Sequence, residues 1–408
     1  MNDLSLAAVT RPLPHVTPGS PALADLIARI GEGANERDRD RVLPFDALSL
    51  VRESKLGALR LPTEQGGGGA SLVQLFETVI SLAEVDPNVT HIIRNHFAFV
   101  EKALRATKGD PYRTWLPRVA EGTLIGGVFS ELGNVQAGAG KHETTLKVDG
   151  SGYVVNGTKY YSTGALYADY VAINLATEDG APATAIVPAN REGLHLDDDW
   201  DGIGQRLTGT GTTRLVDLRV QPDEVIFHAS HAGHLAPFQA TFPQLYLTAI
   251  IAGILRAVTN DAKALLRRRG RNYYHATTEH PVQDPILHLL LGQIASTAYA
   301  AEAIVLNAAA ALDEATNSAA RGSADPALAE KASLRAAKAK IVVDDLALRA
   351  AAQIFDVGGA SAAKASLQLD RHWRNIRTLA SHNPDAYKAR VIGDHELNGT
   401  PLPKGAFF

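Results

Sequence analysis

The chain predicts an α+β fold in three consecutive parts: an N-terminal helical domain, a central β-barrel or sandwich, and a C-terminal four-helix bundle. Three observations carry this. Apolar residues recur at helical spacing from Ala22 to Lys108 and again beyond Pro237. Between them lie short β-branched runs separated by turn residues. The C-terminal helical stretches are long and rich in alanine, which lets helices approach closely. The expected boundaries are a loose arm over 1–20, the helical domain over 21–123, the β domain over 124–236 and the bundle over 237–408.

The elements follow in order. The arm is rich in proline and small residues. Leu23, Leu26 and Ile27 set one helical face, and the segments Phe45–Leu56, Ser71–Ala83 and His91–Ala106 read the same way. The run Gly66–Gly69 cannot be helix interior and must be a loop. Strands are expected at Leu124–Ser130, Thr144–Val148, Tyr153–Val155, Lys159–Ser162, Tyr170–Ala176, Thr184–Val187 and Thr213–Val220, with Asn156-Gly157 as a tight hairpin turn. Helices return at Phe242–Arg269, Ile286–Glu314 and Pro326–Phe355; Gly358-Gly359 breaks the pattern and Lys364–Arg377 resumes it.

Composition excludes several classes. The net charge of −4 offers no basic field for nucleic acid, and the cluster Arg267, Arg268, Arg269 and Arg271 reads on its own as a solvated helix end. With no cysteine there is no disulfide, thiolate metal site or cysteine nucleophile. No secretory signal and no membrane-spanning run is expected, which points to the cytoplasm. No metal site is expected: His228, His231 and His234 recur every third residue but have no carboxylate near them in sequence. Gly138-Ala139-Gly140-Lys141 fails as a phosphate loop, because Val135 stands where a glycine is needed and His142 follows the lysine. No Gly-x-Ser-x-Gly elbow is present.

Five stretches make sense together: LPTEQGGGGAS (61–71), FSELGN (129–134), GYVVNGTKYYSTG (152–164), WDGIGQRLTGTGTTRLVDLRV (200–220) and QIFDVGGAS (353–361). In this order, and with this α-β-α texture, the chain resembles the acyl-CoA dehydrogenase superfamily over nearly its whole length. The resemblance implies a bound flavin. It places the Val128 backbone and Ser130 at the pyrimidine edge, the Thr163 hydroxyl at N5, and Trp200 as an aromatic wall. It also places Arg271, three before Tyr274, at the phosphate end, and Gly358, Gly359 and Ser361 on a loop that touches the flavin of a neighbouring subunit.

A dehydrogenase needs a carboxylate to remove a proton beside a thioester carbonyl. The position that holds it in many family members falls on Asn383, and the second common position lies near Gly253; neither can act as a base. The stretch Trp373-Arg374-Asn375, His382-Asn383-Pro384 and Tyr387-Lys388 instead resembles the flavin-dependent monooxygenases of this fold, the dibenzothiophene and sulfur-acquisition groups. That likeness implies reduced FMN, rather than FAD, handed over by a separate reductase. Oxygen is then expected to form a C4a-hydroperoxyflavin that oxygenates a small organosulfur substrate. His382 and His96 are expected to protonate and hold the peroxide, with Thr163 ordering N5. It also implies a homotetramer or dimer. Two alternatives stay open: an acyl-CoA dehydrogenase, and an N- or aromatic-ring hydroxylase of the same fold.

Overall fold

Ser20 starts the first helix: its side chain accepts from the Leu23 N–H, and Pro21 fills the first turn, where a missing donor costs nothing. The computed structural model describes residues 15–133, 142–228, 240–320 and 325–408. Asn134, the Gly138–Lys141 motif, His231, His234 and the first fourteen residues of the arm lie outside them, as does the expected boundary at 236.

The N-terminal helices are α1 (Pro21–Gly31), α2 (Ala34–Asp40), α3 (Phe45–Glu53), α4 (Leu72–Val85), α5 (Pro87–Ile92), α6 (Arg94–Arg105) and α7 (Leu116–Ala120). Ser71 and Gln74 form a reciprocal capping box at the start of α4. The Asp86 side chain caps α5 by accepting from Asn88 and Val89 N–H, and Arg37 neutralises it at 2.8 Å. The single helix expected over His91–Ala106 is two, because Ile93 leaves helical geometry between α5 and α6.

The β domain contains β1 (Ile125–Val128), β2 (Thr145–Asp149), β3 (Gly152–Lys159), β4 (Tyr170–Thr177), β5 (Pro182–Pro188), β6 (Leu194–Leu196), β7 (Thr213–Val220) and β8 (Val225–Phe227). They form one sheet in the order β6-β7-β3-β2-β4-β5-β8, with β1 parallel to β4. All eight contribute side chains to one core, among them Val128, Val155, Ile173, Leu194, Leu218 and Val225. The barrel or sandwich is therefore a single sheet that buries one face on itself, and its edge strands β6 and β8 do not pair. The second face of β4 and β5 packs Ala172 and Ile186 against Phe99 and Val100 of α6. Asn156-Gly157 is not the hairpin turn. It lies inside β3, where the register against β7 shifts between Val155 and Gly157; the β2–β3 turn is Gly150-Ser151, with φ +63 at Gly150.

The C-terminal part is α8 (Thr241–Arg268), α9 (Pro285–Ala320), α10 (Pro326–Gly358), α11 (Asp370–Ala380) and α12 (Asp385–Asn398). Helices α8, α9 and α10 pack on one another, α11 on α8 and α10, and α4 lies against α8 and α9, so both ends of the chain build one helical core. The segment from Lys364 is short turns until α11 begins at Asp370. The expectation of no membrane-length apolar run is corrected: α8 and α9 both reach that length and hydropathy. In α8 that window is 78% buried among other helices, as in a core helix; in α9 it is 22% buried.

Candidate active site

The site is built where β1, the Tyr160–Thr163 turn, the Trp200–Thr213 loop, the α5–α6 junction and the α11–α12 turn converge. Strand β1 buries Val128 and delivers Phe129 and Ser130 to the surface; Ser130 O accepts from the Tyr160 N–H at 2.9 Å. Phe129, Leu132 and Tyr161 are exposed beside it, an apolar shelf with polar edges. Tyr161 holds φ +58, an uncommon conformation for a side chain of its size. Its ring meets Trp200 edge-on at 6.3 Å, and Trp200 Nε1 donates to Gln205 O at 3.1 Å.

Thr163 heads a chain of hydroxyls. Thr208 donates to Gln205 O at 2.8 Å, so its single proton is spent. Thr210, 2.6 Å from Thr208, then donates to Thr208, and Thr163, 2.9 Å from Thr210, donates to Thr210. Thr163 is thereby left with lone pairs only, and it meets a ligand as an acceptor. Asn95 fixes its backbone by donating to Thr163 O at 3.0 Å.

Gln205 ties these parts together. It is buried, holds φ +53, receives two side-chain donors and the Thr208 N–H on its carbonyl, and donates its N–H to Asn375 at 2.6 Å. A buried non-glycine in this conformation at a polar hub is the kind of strain that collects at working sites. Its Oε1 lies 3.1 Å from His91 Nδ1, so that nitrogen carries the proton and donates. His91 Nε2, Gln205 Nε2, Arg94 Nε and Asn383 Oδ1 are then enclosed without a partner.

His91, Arg94 and Asn95 share one face of the α5–α6 stretch, at helical spacing. Burial first, then Arg94 and His382, push His91 well below the ordinary histidine range. His382 stands in the α11–α12 turn. Its ring is open to the cleft with protein on most sides, and lost water together with Arg94, Lys340 and Lys388 pushes its pKa down. Both histidines are neutral at pH 7. The chain's last residues close one side: Gln244 bridges Asn383 (2.5 Å) and Ala406 O (3.1 Å), and the Phe407 ring stands 6.3 Å from His382.

His96 is not at this site. Its Nδ1 accepts from the Ile125 N–H at 3.1 Å and its Nε2 donates to Gly57 O at 3.0 Å, so no ring nitrogen is left for a ligand. Burial pushes it down to about 4. The neighbour at the site is His91, five residues earlier, which sequence reasoning missed. No local signal marks it, because what frees its Nε2 is Gln205. His228 bonds Thr184 at 2.9 Å.

His91 and His96 carry a stability consequence. Both are buried as the neutral form, so the unfolded chain binds more protons below pH 6.5 and stability falls as pH falls toward 4. Asp344, raised to about 6 by burial, runs the other way and offsets one of them. His96→Gln should flatten urea-unfolding midpoints between pH 6.5 and 4.5, and a wild-type midpoint that rises on acidification would disprove this.

The phosphate-end residues sit elsewhere. Arg269 donates to Val357 O at 3.2 Å, which brings Gly358, Gly359 and Ser361 beside the Arg269–Tyr274 segment. Gly359 holds φ +61 and ψ −157, and a Cβ there would lie 2.9 Å from the Tyr273 hydroxyl, so only glycine fits. Arg271 and Ser361 are exposed. This group lies at the C-terminal end of α8, whereas Gln244 and His382 lie at its N-terminal end, about 37 Å away at 1.5 Å per residue. One chain does not bring the two halves together.

Two family profiles match: acyl-CoA dehydrogenase, middle domain, over residues 129–218, and acyl-CoA dehydrogenase, C-terminal domain, over residues 245–384. A dibenzothiophene monooxygenase from Mycolicibacterium goodii is 30% identical over 387 residues, covering 90% of this chain and 91% of that protein. The chain belongs to the acyl-CoA dehydrogenase superfamily, in its flavin-dependent monooxygenase branch. A probable FMNH2-dependent monooxygenase, SfnC, from Pseudomonas putida is 27% identical over 400 residues, covering 94% and 97%. Among solved structures, FMN-bound TdsC from Paenibacillus sp. A11-2 superposes with TM-score 0.85 at 25% identity, covering 95% and 100%. The methanesulfinate monooxygenase MsuC from Pseudomonas fluorescens superposes with TM-score 0.84 at 26% identity, covering 95% and 98%.

This superfamily member is an FMNH2-dependent monooxygenase with FMN as cofactor. Its residues fit that group: an exposed apolar shelf suits a planar ring, and polar atoms of His91, Gln205 and Asn383 are left without partners. The dehydrogenase base is absent for a packing reason. A Cβ at Gly253 would run into Ile80 O and Ala83 of α4, so α8 has no room there for any side chain. Asn383, at the other position, is an amide bonded to Gln244.

Proposed function

We propose that this chain is the oxygenase of a two-component system: a separate reductase supplies reduced FMN, and a small organosulfur compound receives one oxygen atom from O2. Reduced FMN supplies the chemistry by forming a C4a-hydroperoxide with O2. The observation that carries this reading is the pair His91 and His382, both neutral, one with an enclosed free Nε2 and the other exposed, while neither usual dehydrogenase position carries a carboxylate. His382 donates a hydrogen bond to the distal oxygen through its ring N–H, and His91 accepts one through Nε2. Relatives acting on dibenzothiophene and methanesulfinate support the organosulfur class. Stopped-flow absorbance of protein with reduced FMN and oxygenated buffer tests the reading; oxidation as fast as that of free flavin would refute it.

The hydroxyl chain fits the reduced flavin. N5 carries hydrogen when reduced and only a lone pair when oxidised, so an acceptor at Thr163 favours the reduced form. Thr208→Val frees the Thr210 proton to reverse the chain. The ratio of oxidised to reduced FMN dissociation constants should then fall by about tenfold, one hydrogen bond, and Thr208→Ser should keep it. A ratio that moves in Thr163→Val but not in Thr208→Val would refute the direction of the chain.

The second half of the FMN site comes from another copy. This is supported by the distance of Arg271, Gly358, Gly359 and Ser361 from His382 along α8, and by Ile286, Leu289 and Tyr299 exposed on α9. A homotetramer is the assembly we expect.

A further inference from the structure

Several partly buried arginines of this fold have carboxylate partners, and others, such as Arg105 and Arg113, donate to backbone carbonyls. Arg60 meets Glu101 at 2.6 Å, Arg371 meets Asp261 at 2.7 Å, and Arg37 meets Asp86 at 2.8 Å. Arg94 is 9% exposed, yet it makes no hydrogen bond and no ion pair among the described residues, and its Nε is fully enclosed. A largely buried cation without a partner costs stability, and the enclosed Nε donor adds to that cost.

Its surroundings explain neither the charge nor the burial. Arg94 lies one turn after His91, which bonds Gln205, and next to Asn95, which bonds Thr163, so its helix face is the one turned to the site. The charged and titratable groups around it are His91, His382 and Tyr246. The Tyr246 hydroxyl is spent on Thr90 O at 3.2 Å. The carboxylates nearest His382 are already held: Lys340 bonds both Asp344 and Asp385. Burial lowers Arg94 to about 10, which leaves it charged at neutral pH. Arg94 therefore has no counter-ion among the described residues.

We propose that Arg94 is the anion-binding residue of the substrate pocket and that the substrate is a small organosulfur oxyanion, an alkanesulfinate, rather than a neutral sulfide or thiophene. A guanidinium fork matches two oxygens of one sulfur centre. A neutral aromatic substrate would leave the charge unpaired in the filled pocket. The proposal rests on the flavin-site reading above and deepens it.

Methanesulfinate and dimethyl sulfone are similar in size and differ in charge, so they isolate the effect of Arg94. Binding of each to the full chain with reduced FMN, without oxygen, is measured by calorimetry, alongside melting temperature without ligand. Wild type should prefer methanesulfinate. Arg94→Met should weaken methanesulfinate by about a hundredfold, the scale for removing one partner of a buried charge pair. It should leave dimethyl sulfone and reduced FMN roughly unchanged and raise the melting temperature, because an unpaired charge has gone. Arg94→Lys should recover part of the sulfinate affinity. Equal affinity of the two probes for wild type overturns the proposal, as does a lower melting temperature with unchanged sulfinate binding, which makes Arg94 structural. Weakened reduced FMN with unchanged sulfinate also overturns it, because the charge would then answer the flavin. Failure of wild type to bind reduced FMN at all is a different result and refutes the flavin-site reading instead.

Discussion

His382→Ala is expected to abolish coupled oxygenation while leaving the flavin free to react with oxygen. Product per reduced FMN should fall by about a hundredfold to ten-thousandfold, the range for losing a positioned acid or base, and hydrogen peroxide should appear in its place. The ring is open to the cleft and neutral, so it is the group of the histidine pair that a substrate can reach directly. His91→Ala should give a similar loss of coupling, since its Nε2 has no protein partner and His382 is near enough to act on its charge. His96→Gln should not, because both His96 nitrogens serve backbone partners. Equal uncoupling in the His91 and His96 variants, measured as peroxide formed per flavin oxidised, would remove the distinction drawn between them.

Lys340→Met is expected to cost about 3–5 kcal/mol of stability, the range for leaving a buried carboxylate unpaired. The Lys340 ammonium bonds Asp344, contacts Asp385 at 3.0 Å and donates to Ala380 O at 2.9 Å. Ala380 ends α11 and Asp385 begins α12, so one cation joins both ends of the turn that carries His382. Loss of stability and loss of positioning can be separated. Lys340→Met with Asp344→Asn removes the stranded charge and should recover most of the melting temperature. The turn remains unanchored, so kcat should stay low while KM changes little. Full recovery of kcat in the double variant would make Lys340 a structural residue only. The stability penalty should shrink near pH 5, where Asp344, already raised to about 6, takes up a proton.

Much of the architecture was legible in the chain. Helical spacing marked α3, α4, α8, α9 and α10, and short β-branched runs marked most of the sheet, because these signals come from residues a few positions apart. Asn156-Gly157 misled for the same reason: a glycine between β-branched runs serves a turn or a bulge, and pairing with β7, some sixty residues on, decided for the bulge. Counting from Arg374 located His382 and the missing carboxylate, since both lie on one short stretch. Counting placed the second histidine at His96, whereas the histidine at the site is His91, on the other side of the break at Ile93.

By itself the sequence determined the α-β-α order, the flavin-fold motifs, and the loss of both dehydrogenase bases at Gly253 and Asn383. Those facts are local in the chain, or depend only on which side chains are present. Tertiary structure alone decided which histidine is free, which way the Thr208–Thr210–Thr163 protons run, that Arg94 has no counter-ion, and that Lys340 anchors the His382 turn. Each depends on partners distant in sequence: His91 and Gln205 are 114 residues apart, and Gln205 and Asn375 are 170 apart. A polar group's role is set by whether its hydrogen bonds are already spent, and only the folded chain brings together the atoms that spend them.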